Sequence, residues 1–493
     1  MYDFIKTYEN PNKFNEEIIT GLRQKDEMLE YLLDICNALA NTVPYVTFDG
    51  YDIEEDESKF SKKQHINIKY SRLSLITFYF TITINDEVEK IKMPIFIPKL
   101  INNYYFYLNG NTYYAIYQHV DDSTYNTRDS VILKSLLMPI ILKSSIKDIT
   151  DIDGNVYSVK IYQLNLFKKK ANILHYYLSD RQWTKTLEYF GFKDDVEFKI
   201  LQDKETLSTP EENELYFQIT KLVYLKVNKE KFEESKLFKS FVGCIIDLMN
   251  KKTQFDKLDD EEYWKSKLGS IFTKNANNQI SKADSVLLSF RRILDNRTKK
   301  NLRINESDKE DIFSLIKWMM NNFEDLLRKD NLSLLNKRLR LSEYQVNSFN
   351  RKVSNNTYRI LNSKTLTMTK LKSCFSIPST IIIQDLQTSE LLRYNNAVND
   401  MSLFNTALRY SNRGPSSISD GGRKTVPISY RGIHISHLGR LSLNNLSNGD
   451  PGMSGSMSPF VNTDGMYYKF LEEDNDDFEI LEEDLEDIEE DTE

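Results

Sequence analysis

Near its C-terminal end the chain reads RGIHISHLGR, Arg431 to Arg440, and places two of its five histidines, His434 and His437, three residues apart. Imidazole pairs can serve a metal, a proton transfer or a phosphate contact, and local geometry decides which. Ile433 and Ile435 alternate with His434 and Ser436, which predicts a strand with one buried face. Residues three apart on a strand point to opposite faces, so these imidazoles would not share a metal there. A helix could bring them together, but Gly432 and Gly439 argue against one, and no cysteine or acid stands beside them. Phosphate contact and a structural, hydrogen-bonded role both remain open for the two histidines.

The surrounding charge favours phosphate. From Arg409 to Arg440 lie Arg409, Arg413, Arg423, Lys424, Arg431 and Arg440, opposed by Asp420 alone. Glycines and serines among them let backbone N–H groups approach an anion, and each guanidinium offers a forked contact to phosphate oxygens. Other motifs are weaker. Phe48-Asp49-Gly50-Tyr51-Asp52 has two acids around a glycine but no third carboxylate at metal spacing. Thr150–Gly154 begins like a calcium loop and lacks its later ligands, which makes it a turn. Gly421-Gly422-Arg423-Lys424-Thr425 ends somewhat like a phosphate loop, yet Arg423 occupies the required glycine.

These residues need a scaffold, and 493 residues suffice for roughly three domains. The net charge of −8 hides an asymmetry. Residues 471–493 hold 15 of the 73 acids and no base, so residues 1–470 carry 58 acids against 65 bases, a net +7. A basic body with an acidic tail suits a polyanionic partner, or a solvated surface with a solubilising tail. In the tail, Phe478, Leu481, Leu485 and Ile488 fit an amphipathic segment that could dock on a basic partner. Cys36, Cys244 and Cys374 lie far apart, which points to a reducing compartment and away from a thiolate zinc site. The longest apolar stretches, such as LITFYFTITI, are about half the length of a membrane helix, so no membrane partner is expected.

The expected elements are a helix over 16–42, then strands in KQHINIKYS, SLITFYFTITI and EKIKMPIFIP. A hairpin, YFYLNGNTYYAIYQ, turns at Asn109-Gly110, and a second turn at Asp153-Gly154-Asn155 precedes the strand VYSVKIYQLN. Residues 160–330 read as mostly helical, clearest at 312–329, and a further helical stretch covers about 334–362. The fold class expected is α+β and multidomain.

Three stretches, in order, resemble the N-terminal half of the beta subunit of multisubunit DNA-directed RNA polymerases. MPIFIPKLINNYYFYLNGNTYYAIYQ (93–118) is similar to the family pattern ending F-x-I-N-G-x-E-R-V-I-V-x-Q. DNLSLLNKRLRLSEY (330–344) resembles D-H-x-G-N-K/R-R, with Asn336, Lys337 and Arg338 matching and the histidine and glycine missing. Arg431–Arg440 resembles R-D-V-H-P-T-H-Y-G-R, and Gly449 falls where the family has the glycine of E-T-P-E-G. The acids of that last motif are replaced by Asn445-Leu446-Ser447-Asn448, and E-R after the turn becomes Thr112-Tyr113.

The resemblance implies a split beta subunit of the jumbo-bacteriophage, non-virion type, working in the host cell cytoplasm or packaged in the virion. It implies a strand-rich protrusion (1–140 and 331–400) interrupted by a largely helical lobe (141–330), then a fork region (401–470) and the acidic tail (471–493). The expected role is one side of the DNA cleft and a fork holding DNA strands and the RNA–DNA hybrid in a nucleotidyltransferase. Implied nucleic-acid-binding residues are Lys337, Arg338, Arg409, Arg413, Arg423, Lys424, Arg431, His434, His437 and Arg440, with no catalytic residue in this chain. Mg2+ would be bound by another subunit, and nucleoside triphosphates are the substrates. Implied partners are the C-terminal beta fragment, the beta-prime subunit or its fragments, a promoter-specificity factor if one is used, DNA template and RNA transcript. Two other classes stay open: a standalone single-stranded nucleic-acid-binding protein, and a virion structural protein derived from a polymerase subunit.

Overall fold

The computed structural model describes residues 27–55, 70–84, 87–101, 105–201, 213–249, 253–330, 332–363, 366–394, 402, 406, 408–415, 432–442 and 453–458, with the backbone of two short strands at 463–464 and 467–468. Helix Met28–Thr42 buries Met28, Tyr31, Leu32, Ile35, Cys36 and Leu39 along one stripe, as the heptad-like spacing of its apolar residues requires. The first half of the helix expected over 16–42 lies outside the described residues.

An antiparallel meander follows: β1 (Val46–Glu54), β2 (Leu73–Ile84) and β3 (Glu87–Pro98). On β2 the alternate residues Ile76, Phe78, Phe80 and Ile82 are fully buried. Phe78 and Phe80 meet Phe349 and Phe375 from the later helices, with ring centroids 6.5 and 4.7 Å apart. Most of the strand expected in KQHINIKYS falls outside the described residues. Next come β4 (Leu100–Ile101), β5 (Tyr105–Leu108) and β6 (Asn111–Ala115). The β5–β6 turn has Asn109 at φ 50° and Gly110 at φ 82°, the paired left-handed geometry that Asn-Gly favours. β7 (Tyr117–Asp121) follows at once.

The chain then builds a five-stranded antiparallel sheet from β8 (Thr124–Asn126), β9 (Ser130–Lys134), β10 (Pro139–Thr150), β11 (Val156–Leu166) and β12 (Lys169–Asn172). The expected turn at 153–155 joins β10 to β11, and Asp151 Oδ1 accepts the Asn155 N–H at 2.8 Å. Residues 160–330 are mostly helical, as expected, with strand at the start of the span and again in its middle. Strand runs on to 172, and a three-stranded sheet of β13 (Val196–Ile200), β14 (Glu214–Gln218) and β15 (Val223–Asn228) intervenes before the helices take over. The helix expected over 312–329 is two, Ile312–Asn321 and Phe323–Leu327, because the Asn322 side chain bonds back to the Trp318 carbonyl at 2.9 Å.

Four-residue strand β16 (Lys337–Arg340) then pairs antiparallel with β7, Lys337 opposite Asp121 and Arg340 opposite Gln118. The chain between these strands therefore leaves and returns at one place. Helices Ser342–Gln345, Asn347–Leu361, Met368–Cys374 and Ile381–Thr388 pack back on the meander, and β17 (Leu392–Tyr394) joins β6. The described chain closes with β18 (Arg409–Ser411), β19 (Leu441–Ser442) and β20 (Ser454–Met457). One hydrophobic core runs from helix Met28–Thr42 to Leu392, and Leu334, Leu339, Leu441 and Met457 form a smaller one. The fold is α+β with several sheets.

Candidate nucleic-acid interface

The smaller core belongs to a mixed sheet of order β16-β7-β18-β20-β19, in which β18 runs parallel to β7 and the other pairs are antiparallel. Its strands come from three distant parts of the sequence. Beside it the 3-10 turn Ile435–His437 lies on the turn at 334–336. The stretches 93–118, 330–344 and 431–440 thus converge here. Tyr117 and Gln118 lie in β7, Lys337–Arg340 form β16, and the Leu334 N–H donates to Ser436 Oγ at 3.0 Å.

The expected site residues fall into three groups. Arg409 is exposed on β18 opposite Ser456, and Arg413 is half-buried just after that strand. Arg440 is half-buried, with Nη1 3.5 Å from the Ser436 carbonyl oxygen. Lys337, Arg338, His434 and His437 are engaged within the chain. Lys337 is ion-paired with Asp121. Arg338 is 3% exposed and grips both carboxylate oxygens of Glu343, at 2.5 and 3.1 Å. Its guanidinium faces inward, and in the described structure it ties β16 to the helix that carries Glu343. Arg423, Lys424 and Arg431 lie outside the described residues, as does Gly449.

The histidine segment departs from the expected strand. Ile433 and Ile435 are 71% and 77% exposed, and the chain bends into the 3-10 turn instead. His434 caps that turn, its Nδ1 accepting the Ser436 N–H at 3.1 Å. His437 Nε2 lies 2.8 Å from the Leu332 carbonyl, which can only accept, so Nε2 carries the proton. Nδ1 is then an acceptor and takes the His434 N–H at 3.4 Å. Burial lowers the His437 pKa, with His434 and Lys337 adding to the effect and the Leu332 carbonyl opposing it. Both histidines are hydrogen-bonded keystones of the turn. Leu335 and Leu438, also exposed, extend the apolar surface formed by the two isoleucines.

Gln118 and Arg340 were missing from the expected site and organise it. Both are buried, at 0% and 2% exposure. Arg340 Nε donates to Gln118 Oε1 at 2.7 Å, Nη1 donates to Glu343 at 2.9 Å, and Nη2 donates to the Pro415 carbonyl. Gln118 Nε2 donates to the carbonyls of Arg413 and Pro415 at 3.0 and 3.2 Å. Together they latch 413–415 onto the sheet where the basic segment begins. Gly414 sits at φ +118°, and a Cβ there would lie 2.8 Å from Leu391 and 2.9 Å from Gln118 Nε2, so the latch requires glycine. Burial disfavours charge on Glu343, but Arg338, Arg340 and Lys134 outweigh it and hold the carboxyl well below its ordinary range. Burial, with Lys337 and His437 nearby, drives His119 on β7 down to about 3, so its imidazole is neutral.

Near Arg409, β17 presents exposed Arg393 and Tyr394, and the Tyr394 ring packs on Tyr113 at 4.8 Å. Arg393 and Arg409 both act electrostatically on the Tyr114 hydroxyl. Cations beside aromatic faces suit nucleic-acid strands.

As for a metal, Asp49 and Asp52 are held on the meander, by the Thr81 hydroxyl at 2.6 Å and the Tyr79 hydroxyl at 2.7 Å. Among the described residues no three His, Cys, Asp or Glu side chains stand together as a metal site.

A model of the non-virion RNA polymerase subunit family matches residues 3–487. The chain belongs to this family. No curated protein matches it at a significant level. A non-virion RNA polymerase subunit works with other polymerase subunits, and the exposed aliphatic surface around the histidine turn is of the kind such contacts use. The family's non-virion description also tells against the virion structural protein. No helix among the described residues is long and apolar enough to cross a membrane.

Proposed function

We propose that this subunit is the N-terminal half of a split beta subunit, forming one side of the DNA cleft and the fork of a DNA-dependent RNA polymerase in the host cytoplasm. The observation that carries this reading is the convergence of the three beta-like stretches on one small sheet, although they lie up to about 300 residues apart. Motifs dispersed in sequence and joined in space are expected of one functional unit.

In this reading residues 1–140 and 331–400 are the protrusion, 141–330 the lobe, 401–470 the fork and 471–493 an acidic tail. The strand pair β7–β16 supports the inserted character of the block between them. The working cations are Arg409 and Arg413 at the root of the basic segment and Arg423, Lys424 and Arg431 within it, with Arg440 at its far end. They hold DNA or hybrid phosphates, while Arg393 and Tyr394 extend the surface. Nucleotidyl transfer uses metals that clamp the attacking and leaving oxygens. The reading places the Mg2+ ligands on another subunit, and this chain contributes positioning and electrostatics.

Affinity purification of the tagged chain from infected cells, with photocrosslinking to template DNA, tests the proposal. It should bring down chains carrying the metal aspartates and the C-terminal beta half, with crosslinks in 409–440. A chain that purifies alone and binds single strands returns the standalone binding protein.

A further inference from the structure

Where β9, β16 and helix Met28–Thr42 meet, a pocket opens that the cleft reading does not use. It is lined by Tyr31, Lys134, Thr298, Arg338, Glu343 and Asn350, among others. Three cations converge there on one carboxylate. Arg338 and Arg340 hold Glu343 through direct hydrogen bonds, and the Lys134 ammonium stands 3.5 Å from the same carboxylate. These four groups carry a formal +2 when all are ionised. The neighbouring acids have cations of their own, one of which, Arg297, also lines the pocket. Arg297, from helix Asn296–Asn301, is ion-paired with Asp34 and lies 3.5 Å from Glu30 and 4.0 Å from Glu27. Asp122 lies 3.6 Å from Arg303 and 3.5 Å from Lys329. Burial and Arg340 pull Lys134 down to about 7, with Arg338 adding to this and Glu343 opposing it.

Asn350 gives its amide N–H to the Leu136 carbonyl at 2.9 Å, while its buried Oδ1 meets no hydrogen-bond donor among the described residues. Buried acceptors are nearly always satisfied, so Asn350 Oδ1 is open to a ligand that also donates. An anion that keeps one acidic hydroxyl meets both demands. Inorganic phosphate does so at neutral pH, whereas a backbone phosphodiester and sulfate have no such proton and a phosphate monoester has mostly lost its own.

We propose that this pocket binds inorganic phosphate, its oxygens facing Lys134 and Arg338 and its hydroxyl donating to Asn350 Oδ1. Binding at this pocket is read without DNA or partner subunits, so its failure and that of the cleft reading are distinguishable.

Inorganic phosphate titrated calorimetrically into the full chain at low ionic strength should bind saturably, one to one, and more tightly than sulfate. K134M should bind phosphate at least tenfold more weakly, and N350L should lose the preference for phosphate over sulfate. Sulfate keeps its charge between pH 6 and 8, so its affinity reports Lys134 directly and should be about tenfold higher at pH 6 as that ammonium charges. This comparison needs no variant and stands even where K134M fails to fold. Absence of saturable phosphate binding, equal affinity in folded K134M, or a flat sulfate profile would overturn the proposal. So would displacement of phosphate by an oligonucleotide that lacks terminal phosphates.

Discussion

Replacing Gln118 by methionine keeps the length and volume of a fully buried side chain and removes its amide. Two neutral bonds to the Arg413 and Pro415 carbonyls go, and Arg340 Nε loses its acceptor. Neutral bonds contribute about 0.5–1.5 kcal/mol each and a charge-assisted one about 1.5–3, with a further penalty for a buried donor left unmade. Allowing for non-additivity, the latch on 413–415 should weaken by about 3 kcal/mol, or roughly two decades in its opening equilibrium. The Asn412 N–H, which donates to the Met453 carbonyl at 2.8 Å, is the reporter. Hydrogen exchange at Asn412 should accelerate about 100-fold in Q118M, while amides of the β10–β11 hairpin, remote in sequence, keep their protection. An acceleration below threefold would mean that the β18 pairings alone hold the segment and that the Gln118–Arg340 latch is incidental.

Other perturbations separate scaffold from surface. Arg409→Ala, and the pair Arg423→Ala with Lys424→Ala, should flatten the salt dependence of DNA binding by about 0.7–0.9 log units for each phosphate that is no longer neutralised, measured by fluorescence anisotropy across a salt series. Arg338→Met should leave that slope unchanged and lower urea stability by about 3 kcal/mol, because Glu343 loses its two-pronged partner and keeps only Arg340 and Lys134. Gly414→Ala should destabilise by about 2 kcal/mol through both its φ and its close neighbours. Gly439→Ala, at φ +70° with open space around it, should cost only about 1 kcal/mol in the same urea titration. Stability should fall with pH in two steps. His119 and His175, lowered to about 3 and about 4, stay neutral in the fold while the unfolded chain takes up protons, so stability is lost progressively below about pH 6.5. The depressed Glu343 adds a further loss below about pH 4.3 that E343Q should lack.

Much of the scaffold was legible because local and global signals agreed. Asn109-Gly110 announced the β5–β6 hairpin, and the β-branched and aromatic runs announced β2 and β3. β16 was not legible. LNKRLRL reads as a solvated helical start, yet Arg338 and Arg340 are buried, because Glu343 and Gln118 supply partners from other segments. A buried arginine inverts the hydrophobic pattern on which strand reading depends. The histidine segment failed in the opposite direction, since its two isoleucines alternate like a core face and instead point outward. The arginines of the basic segment were evident from charge alone, whereas the buried latch on 413–415 joins residues nearly 300 positions apart in sequence.

The position of β7 has a consequence for synthesis of the chain. This strand lies between β16 and β18, and Lys337 follows its partner Asp121 by 216 residues. At the usual 5–20 residues per second, roughly ten to forty seconds pass between the emergence of β7 and that of its first neighbour, and longer before β18. For that interval both edges of the strand have no mate within the chain, a state that invites wrong pairing. The block between β7 and β16 has time to fold while the strand waits, so the sheet that gathers the three motifs is among the last parts of the subunit to form.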